Sequence, residues 1–347
     1  MTSDTLPTGL AAAGPTVLHA VNGLHLLAWP ALDASGAHAA VTARSGGVSS
    51  GPYATLNLSL SVGDDPGCVR ENRRRLAAGF GASLEDFVFA RQVHGAEVRV
   101  VGQADRGSGA FGLDDAIVGA DALVTGTPGV VLAILTADCV PIVLHDPVAG
   151  VLGCVHAGWR GTVAGVTAAA LAAMQALGSR PSDVIAGIGP AVAAARYQVG
   201  PEVRQAVTQA FGPAAASFIR PDTRPDRWLL DLWAANRHAL VEAGVPAPQI
   251  HTTTLPTGPI SLADPGHFFS DRTARPCGRL ALVARLREHH RRHHDPRLMK
   301  RWNFNVTVPV FDWVHRSIWS PAREAADDAR RAERRAKRGP RAAARSC

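Results

Sequence analysis

The middle of the chain carries two short apolar segments that constrain the fold more than any other feature. Residues 140–144 and 151–156 consist mostly of Val, Ile and Leu, and the segment from Asp146 to Gly150 separates them. Runs of this length and composition are typical of strands that are buried on both faces. The Pro and Gly between them favour a turn. The pair therefore predicts a buried β-hairpin.

Side chains that bind metals stand at the open end of this hairpin. Cys139 directly precedes the first strand, His156 ends the second, and His94 follows another strand-like run at 87–90. Two imidazoles and a thiolate suit zinc, and three protein ligands leave a fourth coordination position open for chemistry. Because the three residues are far apart in sequence, they indicate a site assembled at strand ends rather than a zinc finger, whose ligands come in close pairs.

The same residues leave a second interpretation open. Without a metal, Cys139 would be a nucleophile and His156 its base, as in cysteine hydrolases. Asp138, next to the cysteine, is a candidate to orient a histidine or to act as a general base. Arg91 and Arg160 lie close to candidate ligands and suit an oxyanion such as phosphate.

Periodicity and turn residues predict further elements along the chain. Strands are expected at 39–44, 87–90, 97–101 and 130–135, and helices at 65–76, 162–177, 199–211, 231–243 and 279–286. Residues 1–21, rich in Thr, Gly, Pro and Ala, are expected to be poorly ordered. Cys154 lies two positions before His156 on the same strand, so we expect it to be a core residue.

Charge and cysteine content bear on compartment and partners. The net charge is +7, yet residues 287–347 alone hold 16 Lys and Arg against 7 Asp and Glu. We interpret this basic tail as a solvated extension and expect no nucleic acid partner. The sequence shows no signal peptide pattern and no apolar run near the ~20 residues that span a bilayer. Five scattered cysteines favour reduced thiols, so we expect a cytoplasmic protein without integral membrane insertion.

A series of short segments, in order along the chain, matches one bacterial family. They are residues 42–49, 56–58, 62–66, 71–73, 91–95, 120–122, 137–141, 156–161, 187–190, 197–200, 231–232, 236 and 268–270. Over roughly residues 24–287 the chain resembles the laccase-like polyphenol oxidases, also known as peptidoglycan-editing factors. Members of that family are regarded as purine nucleoside phosphorylases with adenosine deaminase activity.

The resemblance implies a fold and a chemistry. The fold is α+β, a single layered domain of mixed β-sheets flanked by helices over residues 22–287, followed by the basic tail 288–347. The metal is Zn²⁺, with Cu²⁺ as the other possibility, on His94, Cys139 and His156. The reactions are phosphorolysis of adenosine, inosine or methylthioadenosine and hydrolytic deamination of adenosine. The implied partners are purine nucleosides and phosphate, and the oligomeric state stays open.

The resemblance also implies roles for individual residues. The catalytic set is Asp138, Cys139, Arg91 and Arg160, and the substrate- and phosphate-binding set is Arg44, Asn57 and Arg272. Two positions depart from the family pattern. Ala191 stands where the family usually has Cys, and Asp271-Arg272-Thr273 stand where it usually has Tyr and paired Arg. Only Arg272 remains of that pair, which bears on substrate affinity or specificity.

Other functions remain as rivals. They are a copper-dependent polyphenol oxidase, a cysteine hydrolase acting on peptidoglycan precursors, and a non-catalytic adaptor that uses the basic tail. The tail itself, with histidines at 289–294, resembles the carboxyl end of membrane fatty acid or sterol hydroxylases. A single histidine cluster cannot complete a di-iron site, so we interpret the tail as a fused fragment dispensable for catalysis.

Overall fold

The structure is a computed structural model and describes residues 14–259 and 266–287. The strands are β1 (Val17–Val21), β2 (Leu24–Ala28), β3 (Ala37–Thr42), β4 (Phe87–Arg91), β5 (Val98–Val100), β6 (Ile117–Val118), β7 (Ala122–Thr125), β8 (Val131–Thr136), β9 (Val140–Asp146), β10 (Val151–Ala157), β11 (Ile185–Ile188), β12 (Gln198–Val199), β13 (Ile219–Pro221), β14 (Trp228–Leu230), β15 (Ile250–Thr252) and β16 (Leu280–Leu286). The α-helices are α1 (Pro30–Ser35), α2 (Pro66–Gly79), α3 (Trp159–Val163), α4 (Val166–Ala176), α5 (Pro201–Phe211) and α6 (Leu232–Glu242).

Two large sheets form the centre of the described part of the chain. One has seven strands in the order β1-β2-β3-β16-β8-β4-β6, and the other has six in the order β15-β11-β9-β10-β7-β5. Strands β12, β14 and β13 form a small third sheet. Both large sheets contain parallel and antiparallel neighbours. The expected α+β class with mixed sheets is confirmed.

Three apolar cores lie between the layers of sheets and helices. The two large sheets share a core that includes Ile134 and Leu282 from the first and Val143 and Leu152 from the second. Helix α2 packs on the outer face of the seven-stranded sheet, and α4, α5 and α6 pack on the outer face of the six-stranded sheet. Because both faces of each sheet are covered, central strands are continuous apolar runs.

The predicted hairpin is present as β9 and β10. The strands pair antiparallel, with Val140 opposite Ala157 and Pro141 opposite His156. Cys154 is fully buried in the core between the sheets, as expected. This register brings the residue before Val140, which is Cys139, to the same end of the hairpin as His156.

Three local predictions are wrong. Residues 280–286 form strand β16 instead of a helix, and β16 pairs with β3 and β8 in the middle of the seven-stranded sheet. This short apolar run lacks the period that distinguishes a buried strand from a helix. Val17–Val21, expected to be poorly ordered, pair with β2. The single helix expected over 162–177 is divided into α3 and α4 at Gly165, whose φ is 81°.

Among the described helices, none is long and apolar enough to cross a membrane. The basic tail and its resemblance to hydroxylases lie outside the described residues, as do residues 1–13 of the N-terminal segment.

Candidate metal centre

Cys139 lies where the chain passes from one large sheet to the other. Strand β8 ends at Thr136 in the seven-stranded sheet, and β9 begins at Val140 in the six-stranded sheet. The connection is tight, since Asp138 has a φ of 84° and the Thr136 hydroxyl donates to the Cys139 carbonyl oxygen. The thiol is therefore held at the junction of the two sheets.

His94 lies on a second crossing between the sheets, the loop from β4 to β5. Its φ of 62° is uncommon for a residue other than glycine. The carboxylate of Asp121 stabilises this loop by accepting hydrogen bonds from the N–H groups of His94 at 2.9 Å, Gly95 at 2.6 Å and Val93 at 3.2 Å. The position of His94 thus depends on a residue that is distant in sequence.

Asp121 also orients His156. Nδ1 of His156 lies 2.8 Å from Oδ1 of Asp121, the oxygen that accepts from the N–H of His94. Burial alone would raise the pKa of Asp121, but hydrogen bonds from His156 and Gly95 lower it below its usual value. The ionised carboxylate accepts the Nδ1 proton, which leaves Nε2 of His156 free to bind a metal. Of the two roles left open for Asp138, orienting His156 belongs to Asp121 in this structure, while the carboxylate of Asp138 accepts from Thr257 and Arg272.

The three candidate ligands converge. Their ligand atoms all lie within 4.8 Å of one another, and the rings of His94 and His156 are nearly perpendicular with centroids 4.7 Å apart. His156 is buried, Cys139 is half-buried and His94 is exposed, so the cluster is accessible from the His94 side. Within 14–259 and 266–287, this is the one group of at least three His, Cys, Asp or Glu side chains placed to hold a metal ion.

The thiol of Cys139 and the imidazole of His156 favour each other's charged forms. Burial alone would raise the pKa of Cys139, but His156 and His94 outweigh it and lower that pKa well below the usual value of a thiol. Burial alone would lower the pKa of His156, but Cys139 and Asp121 outweigh it and raise that pKa. Because the thiolate is both the metal ligand and the nucleophile, this pair suits both interpretations of the sequence.

Gly158 leaves the space that a metal ion needs. A Cβ at this position would lie 2.8 Å from the sulfur of Cys139 and 3.3 Å from Cδ2 of His94. The backbone of Gly158 is extended, with φ −75° and ψ 172°, so its conformation does not require glycine. The free space beside two ligands, together with two imidazole nitrogens and a thiolate, fits a transition-metal ion.

The ligand cluster forms part of the wall of a cavity of about 720 Å³, a size typical of small-molecule sites. Arg91 and Arg160 lie in the same wall, and the guanidinium carbon of Arg160 lies 4.5 Å from the centroid of the Trp159 ring. Among the residues that the structure describes, no carboxylate forms an ion pair with either arginine. Two such guanidinium groups suit an anionic ligand next to the metal cluster.

Asp138 lies in the cavity wall, but its carboxylate is already hydrogen bonded. Oδ1 accepts from the hydroxyl of Thr257 at 2.5 Å, and Oδ2 accepts from the N–H of Arg272 at 2.6 Å. The side chain of Arg272 donates to the carbonyl oxygen of Gln198 and lies over the ring of Tyr197. Asp138 therefore anchors the segment that carries Arg272 into the cavity wall.

Arg44 and Asn57 do not lie in the cavity wall. Arg44 donates from Nε and Nη2 to the carbonyl oxygen of Ala54 at 3.1 and 3.0 Å, and its guanidinium carbon lies 4.7 Å from the ring centroid of Phe269. Asn57 is fully buried and donates to Asp64 at 2.9 Å. These contacts stabilise the neighbouring loops, and the structure does not bring either residue to the metal cluster.

Sequence reasoning did not assign a role to several residues of the site. Asp121 and Tyr197 lie in two segments that carry the family resemblance, which was the available signal. Tyr197 lies in the cavity wall, and burial, together with the nearby Cys139, raises its pKa. Gln92 joins the His94 loop to β8 through two hydrogen bonds of 2.8 Å with the backbone of Leu135.

Comparison with known proteins identifies the relatives of this chain. The family model described as "Multi-copper polyphenol oxidoreductase laccase" matches residues 38–287. The chain is 40% identical over 257 residues to purine nucleoside phosphorylase YlmD of Geobacillus stearothermophilus, covering 73% of this chain and 92% of that protein. It is 42% identical over 247 residues to purine nucleoside phosphorylase ORF3 of Streptomyces griseus, covering 71% and 92%.

Solved structures show the same fold. The crystal structure of YlmD from Geobacillus stearothermophilus superposes with a TM-score of 0.74 at 38% identity, covering 79% of this chain and all of that one. The hypothetical protein YfiH of Bacillus licheniformis gives a TM-score of 0.73 at 33% identity, covering 78% and 99%. On the family match and these relatives, the chain belongs to the multi-copper polyphenol oxidoreductase laccase family.

Proposed function

We propose that this chain is a zinc-dependent purine nucleoside phosphorylase that also deaminates adenosine. The observation that carries the proposal is the cluster of His94, Cys139 and His156 in the wall of a cavity that also contains Arg91 and Arg160. Phosphorolysis needs a phosphate dianion and a nucleoside in one site, and a cavity of about 720 Å³ has room for both. The names of the relatives support the phosphorylase part of this proposal.

The ligand set favours zinc over a group of copper ions. One thiolate and two imidazoles are typical of a zinc site with an open position. A multi-copper oxidase needs more than one metal centre, and the described residues offer one group of three ligands. When bound, zinc would supply a Lewis acid that polarises an oxygen atom at the open position.

Arg91 and Arg160 would position the phosphate. In phosphorolysis, a phosphate oxygen forms a bond to C1′ of the ribose while the bond from C1′ to N9 breaks. The electron pair of that bond goes to the purine, which takes up a proton. Guanidinium groups match the geometry of phosphate, and the stacking of Arg160 on Trp159 limits its movement, so the phosphate oxygen would be held close to C1′.

Deamination uses water as the nucleophile and takes place at C6 of the purine instead of at C1′. Water adds to C6 of adenosine, ammonia leaves, and inosine is formed. Thr257 and the backbone N–H of Arg272 already donate hydrogen bonds to the carboxylate of Asp138. We therefore assign Asp138 a positioning role instead of that of a free general base.

We also propose that the protein acts in the cytoplasm, since Cys68, Cys139, Cys154 and Cys277 are free thiols, as expected in a reducing compartment.

Chromatography of purified protein incubated with adenosine, with and without phosphate, tests the two activities separately. Adenine that forms only with phosphate indicates phosphorolysis, and inosine that forms without phosphate indicates deamination. If neither product forms, the proposal is contradicted.

Elemental analysis should find about one zinc per chain and strong loss of zinc in Cys139→Ala and His156→Ala. Full zinc retention in both variants would contradict the ligand assignment.

The polarised pair of Cys139 and His156 also supports a second candidate, a cysteine hydrolase. Alkylation of Cys139 by iodoacetamide, measured by mass spectrometry, distinguishes the two. A metal ligand is protected and becomes reactive only after a chelator is added, whereas a free nucleophile reacts equally with and without the chelator. Loss of nucleoside cleavage after chelation would support the metal enzyme.

A further inference from the structure

A second cavity of about 390 Å³ lies next to the metal cavity. The two cavities share three wall residues, Trp159, Tyr197 and Arg272. The rest of the second wall comes mainly from β12 and the first turn of α5, and Gln198, Glu202 and Arg227 make it polar. A ligand that lies across the shared residues would thus have one part near the metal cluster and another in a polar pocket.

Gly200 makes room for the carboxylate of Glu202 in this pocket. A Cβ at Gly200 would lie 2.4 and 2.8 Å from the two carboxylate oxygens of Glu202. The backbone of Gly200 is extended, with φ −90° and ψ −179°, which any residue can adopt. These atoms are the far end of an exposed side chain, so the contact shows that the Glu202 carboxylate lies beside Gly200, the last residue of the segment 197–200 that carries part of the family resemblance.

Glu202 is the acidic group in the wall of this pocket. Within the described part of the chain it forms no ion pair. The two cations of the pocket are directed to carbonyl oxygens, Arg272 to that of Gln198 and Arg227 to that of its neighbour Asp226. The carboxylate of Glu202 is thus available to accept hydrogen bonds from a ligand.

A carboxylate with two available oxygens suits a pair of adjacent hydroxyl groups. Asp and Glu recognise the hydroxyls of ribose in this way in dinucleotide-binding folds, and hydrogen bonds to an ionised acceptor are stronger than neutral ones. Nucleosides carry such a diol at the 2′ and 3′ positions of their ribose. The chemistry of the pocket therefore matches the sugar of a nucleoside better than its base.

We propose that the second cavity is the ribose subsite and that Glu202 accepts hydrogen bonds from the 2′ and 3′ hydroxyls. This assignment rests on the proposed function. It places the purine in the metal cavity, the ribose in the second cavity, and C1′ at the shared residues. Both shared aromatic rings carry an arginine, Arg160 over Trp159 and Arg272 over Tyr197. A phosphate held by Arg160, one of the two arginines assigned to phosphate above, would lie next to C1′, where phosphorolysis requires it.

The test compares phosphorolysis of adenosine, 2′-deoxyadenosine and 3′-deoxyadenosine by the wild-type protein and by Glu202→Gln. For adenosine, kcat/KM should fall by roughly 10- to 100-fold in Glu202→Gln, mainly through a higher KM. For each deoxynucleoside the fall should be several-fold smaller, because one of the two hydrogen bonds is already absent. Taking the ratio of variant to wild type for each substrate removes the intrinsic reactivity of the deoxynucleosides.

Two further variants sharpen the test. Gly200→Ala should reproduce part of the Glu202→Gln effect, because the added Cβ displaces the carboxylate while the backbone tolerates alanine. Glu242→Gln alters an exposed glutamate on α6 that lines neither cavity, and it should leave all three substrates unaffected.

Equal losses for adenosine and both deoxynucleosides, or no loss in Glu202→Gln, would overturn the ribose assignment and leave the proposed function intact. A wild-type protein that cleaves none of the three nucleosides would overturn the proposed function and the ribose assignment together.

Discussion

Asp121 and His156 are joined by two hydrogen bonds. Oδ1 of Asp121 accepts from Nδ1 of His156 at 2.8 Å, and the carbonyl oxygen of Asp121 accepts from the N–H of His156 at 2.8 Å. The same carboxylate holds the backbone of the His94 loop. Asp121 is fully buried. If its carboxylate is lost, water cannot easily replace it as the acceptor for the N–H groups of the His94 loop and for Nδ1 of His156. One residue thus positions two of the three candidate metal ligands.

Asp121→Asn should lower the metal affinity by roughly 10- to 100-fold. The amide presents N–H groups to the N–H donors of the His94 loop, so both imidazoles lose their fixed orientation. Competition with a chromophoric chelator measures the affinity. Asp146→Asn is the matched control, because Asp146 is also a buried carboxylate that accepts from backbone N–H groups. That control should lower stability and leave the affinity unchanged; equal affinity losses would contradict the role of Asp121.

Gly158→Ala should reduce the zinc content of the protein without changing its fold. The added Cβ would lie 2.8 Å from the sulfur of Cys139, in the space assigned to the metal, while the extended backbone accepts alanine without strain. Elemental analysis and circular dichroism measure the two properties. Gly112→Ala is the control, since a Cβ there meets nothing within 4 Å. Wild-type zinc content in Gly158→Ala would show that the metal does not occupy this space.

Arg91→Ala and Arg160→Ala should each slow phosphorolysis by roughly 10²- to 10³-fold, or about 3–4 kcal/mol, if the guanidinium stabilises developing charge. Thermal stability should hardly change, because neither arginine pairs with a described carboxylate. Steady-state kinetics with phosphate as the varied substrate measures the effect. Arg180→Ala, which removes an exposed pair with Asp183, is the control. Unchanged phosphate kinetics in both cavity variants would exclude the role.

Arg44→Ala should destabilise the protein instead of impairing substrate binding. Its guanidinium donates twice to the carbonyl oxygen of Ala54 and stacks on Phe269, so its loss should cost about 1–3 kcal/mol of unfolding free energy. Urea unfolding measures the stability, and kinetics on the folded fraction should give a wild-type KM for nucleoside and phosphate. A large rise in either KM with unchanged stability would restore Arg44 as a substrate ligand.

His38 should make the stability of the fold depend on pH. Burial, followed by the charges of Arg285 and Arg287, lowers the pKa of His38 from 6.5 to about 4, although Asp33 opposes this. Between these values the unfolded chain binds more protons than the folded one, so the stability contribution is complete above pH 6.5 and is lost as the pH falls towards 4.

His38→Phe tests this dependence. The substitution keeps a ring to stack on Phe80, whose centroid lies 4.2 Å from that of His38, and it removes the titrating group. Urea unfolding at about pH 7 and about pH 5 should show a smaller loss of stability in the variant than in the wild type. Equal losses would show that His38 does not titrate as its surroundings imply.

The sequence by itself determined the local elements and the candidate ligands. Apolar runs bounded by turn residues predicted β9 and β10, and the ends of these strands placed Cys139 and His156 together. Helices α2, α5 and α6 were predicted close to their observed bounds. Strand β16 was mistaken for a helix, since a short run in which six of seven residues are apolar carries no clear period.

The tertiary structure alone decided which residues support the ligands and which ones reach the cavity. Asp121 meets His94 and His156 across 27 and 35 positions of sequence, and Asp138 meets the backbone of Arg272 across 134. Arg44 and Asn57 lie in matching segments, yet packing places them away from the cavity wall. The hydrophobic period and the turn residues of a segment predict only the local structure of that segment. Contacts between distant segments depend on how the two sheets stack, and no single segment encodes that arrangement.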